Sequence, residues 1–182
     1  MKIEKALPLK VTAALAMLAA ISIICGKYLA IPGGDILRFS FENLPIIFAG
    51  IAFGPLAGVL VGVVADLIGC VLVGYAINPI VTVGAGAVGL VAGLIPILLR
   101  KAKLSETVKI PLAVAAAHIV GSVLIKTFGL AVFYDMPIFV LMFWRLFNYA
   151  IVGTVEGVLL TVLFTNKMLT GTLASLKQKN RN

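Results

Sequence analysis

Between Leu44 and Val73 the chain runs for thirty residues with one charge, Asp66. As a single α-helix this run would be about 45 Å long at ~1.5 Å per residue. A bilayer's hydrocarbon core is only ~30 Å thick. The run therefore breaks, and Gly54-Pro55 is the natural place, because proline suits the first turn of a new helix. A short segment over 44–53 and a longer one over 55–73 are predicted. The short one cannot span as a full helix. It is tilted, extended by part of 39–43, or partly re-entrant.

The remaining apolar runs follow the same logic. Segments are predicted over 11–29, 80–99, 110–133 and 138–164, separated by breaks at Pro32-Gly33-Gly34, at 74–79, at 100–109 and at 134–137. Glycine and proline are the strongest local punctuators. Residues 36–43 are read as a mixed loop, and the tail after Asn166 is polar and basic. The fold class is thus an all-α membrane protein with six transmembrane helices, the second one short, forming one integral membrane domain over residues 1–182. Hydrophobic residues make up 62% of the chain and charged residues 12%, against ~45–50% and ~25% in soluble domains. That balance excludes a disordered chain, a nucleic-acid-binding domain and an ordinary cytosolic enzyme. Six spans leave no room for an ATP-hydrolysing domain.

The N-terminus resembles a signal peptide, but no small-residue cleavage site precedes a polar mature region. Ile24 is too bulky to precede a lipoprotein cysteine at Cys25. The first helix is expected to be retained. Cys25 and Cys70 both lie in apolar runs and read as buried free thiols rather than a disulfide framework.

Orientation comes from charge. With six spans, both termini share a side with the second–third and fourth–fifth connections. That side holds Lys2, Lys5, Lys10, Arg100, Lys101, Lys103, Lys109, Lys167, Lys177, Lys179 and Arg181, eleven of the 15 Lys and Arg residues. The positive-inside rule makes it cytoplasmic. Lys27, Arg38, Lys126 and Arg145 are left over, and all fall in the external half. Charges at membrane depth cost at least ~2.5–3.5 kcal/mol each and usually face a cavity or a partner. One reading is an outward-facing pocket for an anionic solute. The other is that Asp66 pairs with Lys126 or Arg145 as internal glue, with Lys27 snorkelling to the interface. Aromatic side chains concentrate at the same end. Phe39, Phe128 and Trp144 are candidates for stacking on a flat ligand, although an interfacial aromatic belt uses the same residue types.

Gly54, Gly58 and Gly62, Gly89 and Gly93, Gly153 and Gly157, and Ala16 and Ala20 repeat small residues at four-residue spacing, which lets helices approach closely in lipid. His118, the one histidine, cannot build a multi-histidine metal site and reads as a hydrogen-bonded core residue. No zinc-protease, nucleophile-elbow or phosphate-loop motif is present. No metal or cofactor is expected, and an enzyme activity is not. Glu156 is either a proton relay or a hydrogen-bonding partner within the bundle.

The run Leu37-Arg38-Phe39-Ser40-Phe41-Glu42-Asn43-Leu44-Pro45-Ile46-Ile47-Phe48-Ala49-Gly50-Ile51-Ala52-Phe53-Gly54-Pro55, continued by Gly58, Gly62, Ala65, Asp66 and Gly69, resembles the first loop and following helices of the S components of energy-coupling-factor vitamin transporters. Within that family it is most similar to the folate-specific kind. The resemblance implies a subunit of a prokaryotic plasma membrane that binds folate or a related vitamin from outside, under a loop over 31–43. It implies an alanine surface, here Ala16 and Ala20, that docks on a transmembrane coupling subunit. Two cytoplasmic ATPase subunits would supply the energy. Arg38, Lys126 and Arg145 would meet the ligand's charged end, and Asp66 and Asn78 the pterin edge or the covering loop. Alternatives are an S component for pantothenate or riboflavin, or a stand-alone secondary transporter using Glu156 and His118.

Overall fold

The computed structural model describes residues 9–33, 37–102 and 104–178. Residues 34–36 of the predicted covering loop, the side chain of Arg38, and Lys2, Lys5, Lys103, Lys179 and Arg181 lie outside the described residues.

Helix α1 (Leu9–Ile23) continues as a π-helical turn, Ile24–Tyr28. An antiparallel ribbon follows, β1 (Ile31–Gly33) with β2 (Leu37–Phe39), pairing Ile31 with Phe39 and Pro32 with Arg38. Then come α2 (Asn43–Phe53), α3 (Pro55–Val73), α4 (Pro79–Leu98) with a 3₁₀ turn at Leu99–Lys101, and α5 (Glu106–Ala117). A π-helical stretch, His118–Ile125, joins α5 to α6 (Lys126–Tyr134) without a break; α7 (Ile138–Thr165) and α8 (Lys167–Gln178) complete the order. Five of these continuous helices are long and apolar enough to cross a membrane: 9–28, 55–73, 79–101, 106–134 and 138–165. With the shorter apolar α2 they make the six-helix bundle that the hydropathy predicts.

The structure differs from the sequence reading in two places. The first loop forms a ribbon at 31–33 and 37–39. A two-stranded ribbon is marginal by itself, and this one rests against α7. The polar tail forms α8, whose start is capped by the Asn166 side chain accepting from the Met168 amide at 2.9 Å.

The length problem of the second segment has a specific solution. At 11 residues, α2 covers only about 16 Å. Its first residue, Asn43, is fully buried. The chain therefore enters the bundle before the helix begins, and α2 starts at depth. Gly54, at φ 103°, then turns the chain into Pro55.

Small residues set the helix spacing. The carbonyls of Gly89 and Ala85 occupy the places where Cβ atoms on Gly58 and Gly62 would stand, and Gly93 meets the Pro55 backbone. The predicted small-residue runs on α3 and α4 thus bring these two helices into backbone contact. The apolar core around them includes Ile46, Ile47, Val61, Val88, Val114 and Leu160.

Candidate functional site

The leftover charges meet at the start of α2. The Lys126 ammonium donates to Glu42 Oε1 at 2.9 Å and to Asn43 Oδ1 at 3.3 Å. Lys126 is 4% exposed, so its charge needs this partner. Glu42 lies in the loop just ahead of α2 and is the ion partner of Lys126. The Ser22 hydroxyl donates to the Glu42 carbonyl at 2.6 Å, tying the same point to α1.

A chain of polar contacts runs inward from there. Asn43 Nδ2 donates to Ser122 Oγ at 3.3 Å, Ser122 Oγ lies 3.4 Å from His118 Nδ1, and His118 Nε2 lies 2.6 Å from Glu156 Oε2. Glu156 is fully buried, and among the described residues its Oε1 is a buried side-chain oxygen without a hydrogen-bond partner. The π-helical stretch shapes this chain. Widening the helix to i→i+5 pairing leaves carbonyls open to side chains, a frequent device at functional sites. The Ser122 carbonyl accepts from Arg145 Nε at 3.2 Å, from Arg145 Nη2 at 3.0 Å and from Thr127 Oγ1 at 3.4 Å. Arg145 also donates to the Tyr149 hydroxyl at 3.3 Å, and Tyr149 stacks on His118 with ring centroids 4.7 Å apart.

Four of these polar side chains lie against a glycine of another element. A Cβ on Gly26 would stand 2.7 Å from Glu42 Oε2, one on Gly69 2.8 Å from Lys27 Cε, one on Gly84 2.6 Å from Lys126 Cγ, and one on Gly153 3.1 Å from His118 Cδ2. The missing methyl groups are the room these side chains occupy.

The predicted residues divide accordingly. Lys126 and Arg145 come together at Ser122–Lys126. Asp66 accepts from Thr82 Oγ1 at 2.6 Å and pairs with neither of them; the described ion partner of Lys126 is Glu42. Asn78 caps α4, accepting from the Ile80 and Val81 amides, and its Nδ2 donates to the Gly129 carbonyl at 2.8 Å, which locks α4 to α6. Arg38 stands on β2 opposite Pro32. Phe39 is half-buried, whereas Phe128 and Trp144 are exposed. Trp144 meets Phe143 edge-on, at 5.8 Å between centroids. Ala16 and Ala20 sit on the exposed face of α1, opposite the buried Val11, Leu15 and Ala19.

Sequence reasoning missed Glu42, Asn43 and Ser122. Glu42-Asn43 is a polar pair standing directly before a thirty-residue apolar run, the one available signal. Ser122 gave none. Lys27 instead approaches Cys70 Sγ at 4.0 Å and the Tyr75 ring at 5.4 Å.

Lys27, Glu42, Asp66 and Lys126 line a small cavity of about 10 Å³, room for roughly one water. Two cations and two anions there balance each other. A far larger space of about 650 Å³ lies between α5 and α7.

No curated protein sequence matches the chain. Ten solved chains match its fold, two of them as follows. A crystal structure of FolT bound with folic acid superposes with a TM-score of 0.66 at 20% identity, over 84% of this chain and 90% of that one. The S component of a bacterial ECF transporter gives 0.64 at 22% identity, over 90% and 97%. The sequence family described as "ECF transporter, substrate-specific component" matches residues 10–176, nearly the whole described bundle. By that match the chain belongs to the substrate-specific membrane components of ECF transporters.

Proposed function

We propose that this chain binds folate or a closely related vitamin from the outer side of a prokaryotic cell membrane. It acts as one membrane domain and hands the vitamin to a transmembrane coupling subunit driven by two cytoplasmic ATPase subunits. The observation that carries the reading is that Arg145 donates to the Ser122 carbonyl, one turn from Lys126 on the same continuous helix, at the end that charge asymmetry reads as outer. A dicarboxylate tail suits such a pair, since charge-assisted contacts to carboxylates are the strong ones. The fold neighbour that holds folic acid supports the same choice.

Glu42 is then a resident carboxylate on Lys126, and a ligand carboxylate takes its place. Arg145 meets the second carboxylate, and Arg38 stands on the ribbon at the same end. Phe39, Phe128 and Trp144 offer faces for the pterin. Asp66 is placed for the pterin edge. Asn78 has its amide committed within the fold, which favours the supporting role over direct contact. Ala16 and Ala20 form the docking face, because their side of α1 is left exposed among the described residues.

The test is a small-molecule mass spectrum of the purified protein, followed by titration of ligand-free protein with folate, pantothenate and riboflavin. Folate should be found and should bind tightest. Tight binding of one of the others, with none of folate, overturns the substrate while keeping the class. The buried His118–Glu156 couple favours one rival, a proton-coupled stand-alone transporter. Uptake that survives loss of the ATPase subunits would establish that rival instead.

A further inference from the structure

The 650 Å³ space is a groove on the flank of the bundle. Pro111, Ala115 and Ile119 form one wall, and Ala150, Gly153 and Gly157 the other. Its rim residues Ile119, Leu146, Val158 and Val162 are 51%, 55%, 59% and 62% exposed, so the groove opens sideways, toward the bilayer. Gly157 keeps the two walls just apart: a Cβ there would touch Pro111 at 3.9 Å, so a larger side chain would fill the floor.

The groove has two different ends. Thr107 and Val162 lie at the end shared by the basic loops, and Val123 and Leu146 at the other. From 107 to 123 is sixteen residues, about 24 Å of helix. Half of a bilayer, headgroups included, is ~20–22 Å. From the basic face the groove therefore runs about one leaflet deep, ending a little past the midpoints of 106–134 and 138–165. Beyond it, the exposed side of α7 carries Phe143, Trp144 and Phe147. A transmembrane helix would need the groove to continue across both leaflets. A single acyl chain of the basic-side leaflet does not.

The basic mouth selects the headgroup. Arg100 and Lys101 precede α5 by a short loop and Lys167 stands just after α7, so all three belong to the connections at the Thr107–Val162 end. They are exposed, and none of them has an ion pair among the described residues. Lys109, on the first turn of α5, is engaged by Glu106 at 3.0 Å. Basic clusters between helices at the cytoplasmic side suit anionic lipid headgroups. We propose that the α5–α7 groove is a lipid site that takes one acyl chain of an anionic phospholipid, whose phosphate is held at the mouth by Arg100, Lys101 and Lys167.

The full-length chain, delipidated in detergent, is titrated with phosphatidylglycerol or phosphatidylcholine and examined by native mass spectrometry. One phosphatidylglycerol per chain should be retained, at least tenfold more tightly than phosphatidylcholine. Gly157→Leu fills the floor and should abolish retention without altering the helical circular dichroism. Arg100→Gln, Lys101→Gln and Lys167→Gln together should erase the preference between the two lipids. Retention by Gly157→Leu equal to the parent overturns the site. So does binding of both lipids in equal, unsaturating amounts, or a charge-independent preference in the triple variant.

Discussion

Lys126 and Glu42 show how one residue's chemistry governs the region. Lys126 is buried and Glu42 is 28% exposed in its side chain, so removing the carboxylate strands a charge in a dry place. Breaking a fully buried pair costs ~3–5 kcal/mol; partial exposure of Glu42 places this one near or below the lower end. Glu42→Gln should lower the melting temperature. Glu42→Gln combined with Lys126→Met should recover most of that loss, and a cycle over the two sites should give a coupling above about 1 kcal/mol. Additive effects would mean that the pair is decorative. On binding, Lys126→Ala or Arg145→Ala should weaken folate at least tenfold, about 1.4 kcal/mol, whereas Glu42→Gln should not weaken it. Unchanged affinity in both cation variants removes the basic pocket. The sequence revealed that Lys126 and Arg145 were misplaced by topology alone. It did not reveal their partners, because a carboxylate 84 positions away becomes a neighbour only after packing.

At the level of elements, the glycines divide between two tasks. Gly58, Gly62 and Gly89 let α3 and α4 touch through their backbones. Gly89→Leu should drive these helices apart, and purified protein should lose its monodisperse elution. Elution identical to the parent would show that the spacing is set elsewhere. This task was readable from four-residue spacing, since that period places residues on one helix face. The second task was not. Gly26, Gly69 and Gly84 accommodate charges that arrive from other elements, and nothing local marks them. The short α2 was legible as a length deficit against the bilayer. Its resolution, a helix that begins inside the bundle, depended on Asn43 finding Ser122 and Lys126. Ser122's carbonyl is likewise open because of a π-helical stretch that has no sequence signature here.

For the whole molecule, hydropathy carried nearly everything about the six-helix bundle, and the positive-inside rule supplies the orientation expected of it. The exposed alanine face of α1 makes a prediction at this scale. Replacing Ala16 and Ala20 together with Trp should leave folate binding intact and abolish uptake by cells that supply the coupling and ATPase subunits. Persistent uptake would mean that docking uses another surface. The location of the α5–α7 groove was hidden from the sequence, because Gly153 and Gly157 match the small-residue pattern of a packed interface and yet both line the groove.

The charges lodged against glycines carry a consequence for how such a bundle can change. A lysine on one helix is admitted by an absence on another, so the two positions are inherited as a pair. A new substrate charge cannot be met by mutating the lining residue alone. The opposing helix must first give up a side chain, and each such loss also loosens the backbone that the bundle depends on. Diversification of ligand chemistry on this scaffold is therefore a sequence of two-site steps, with the silent partner changing first.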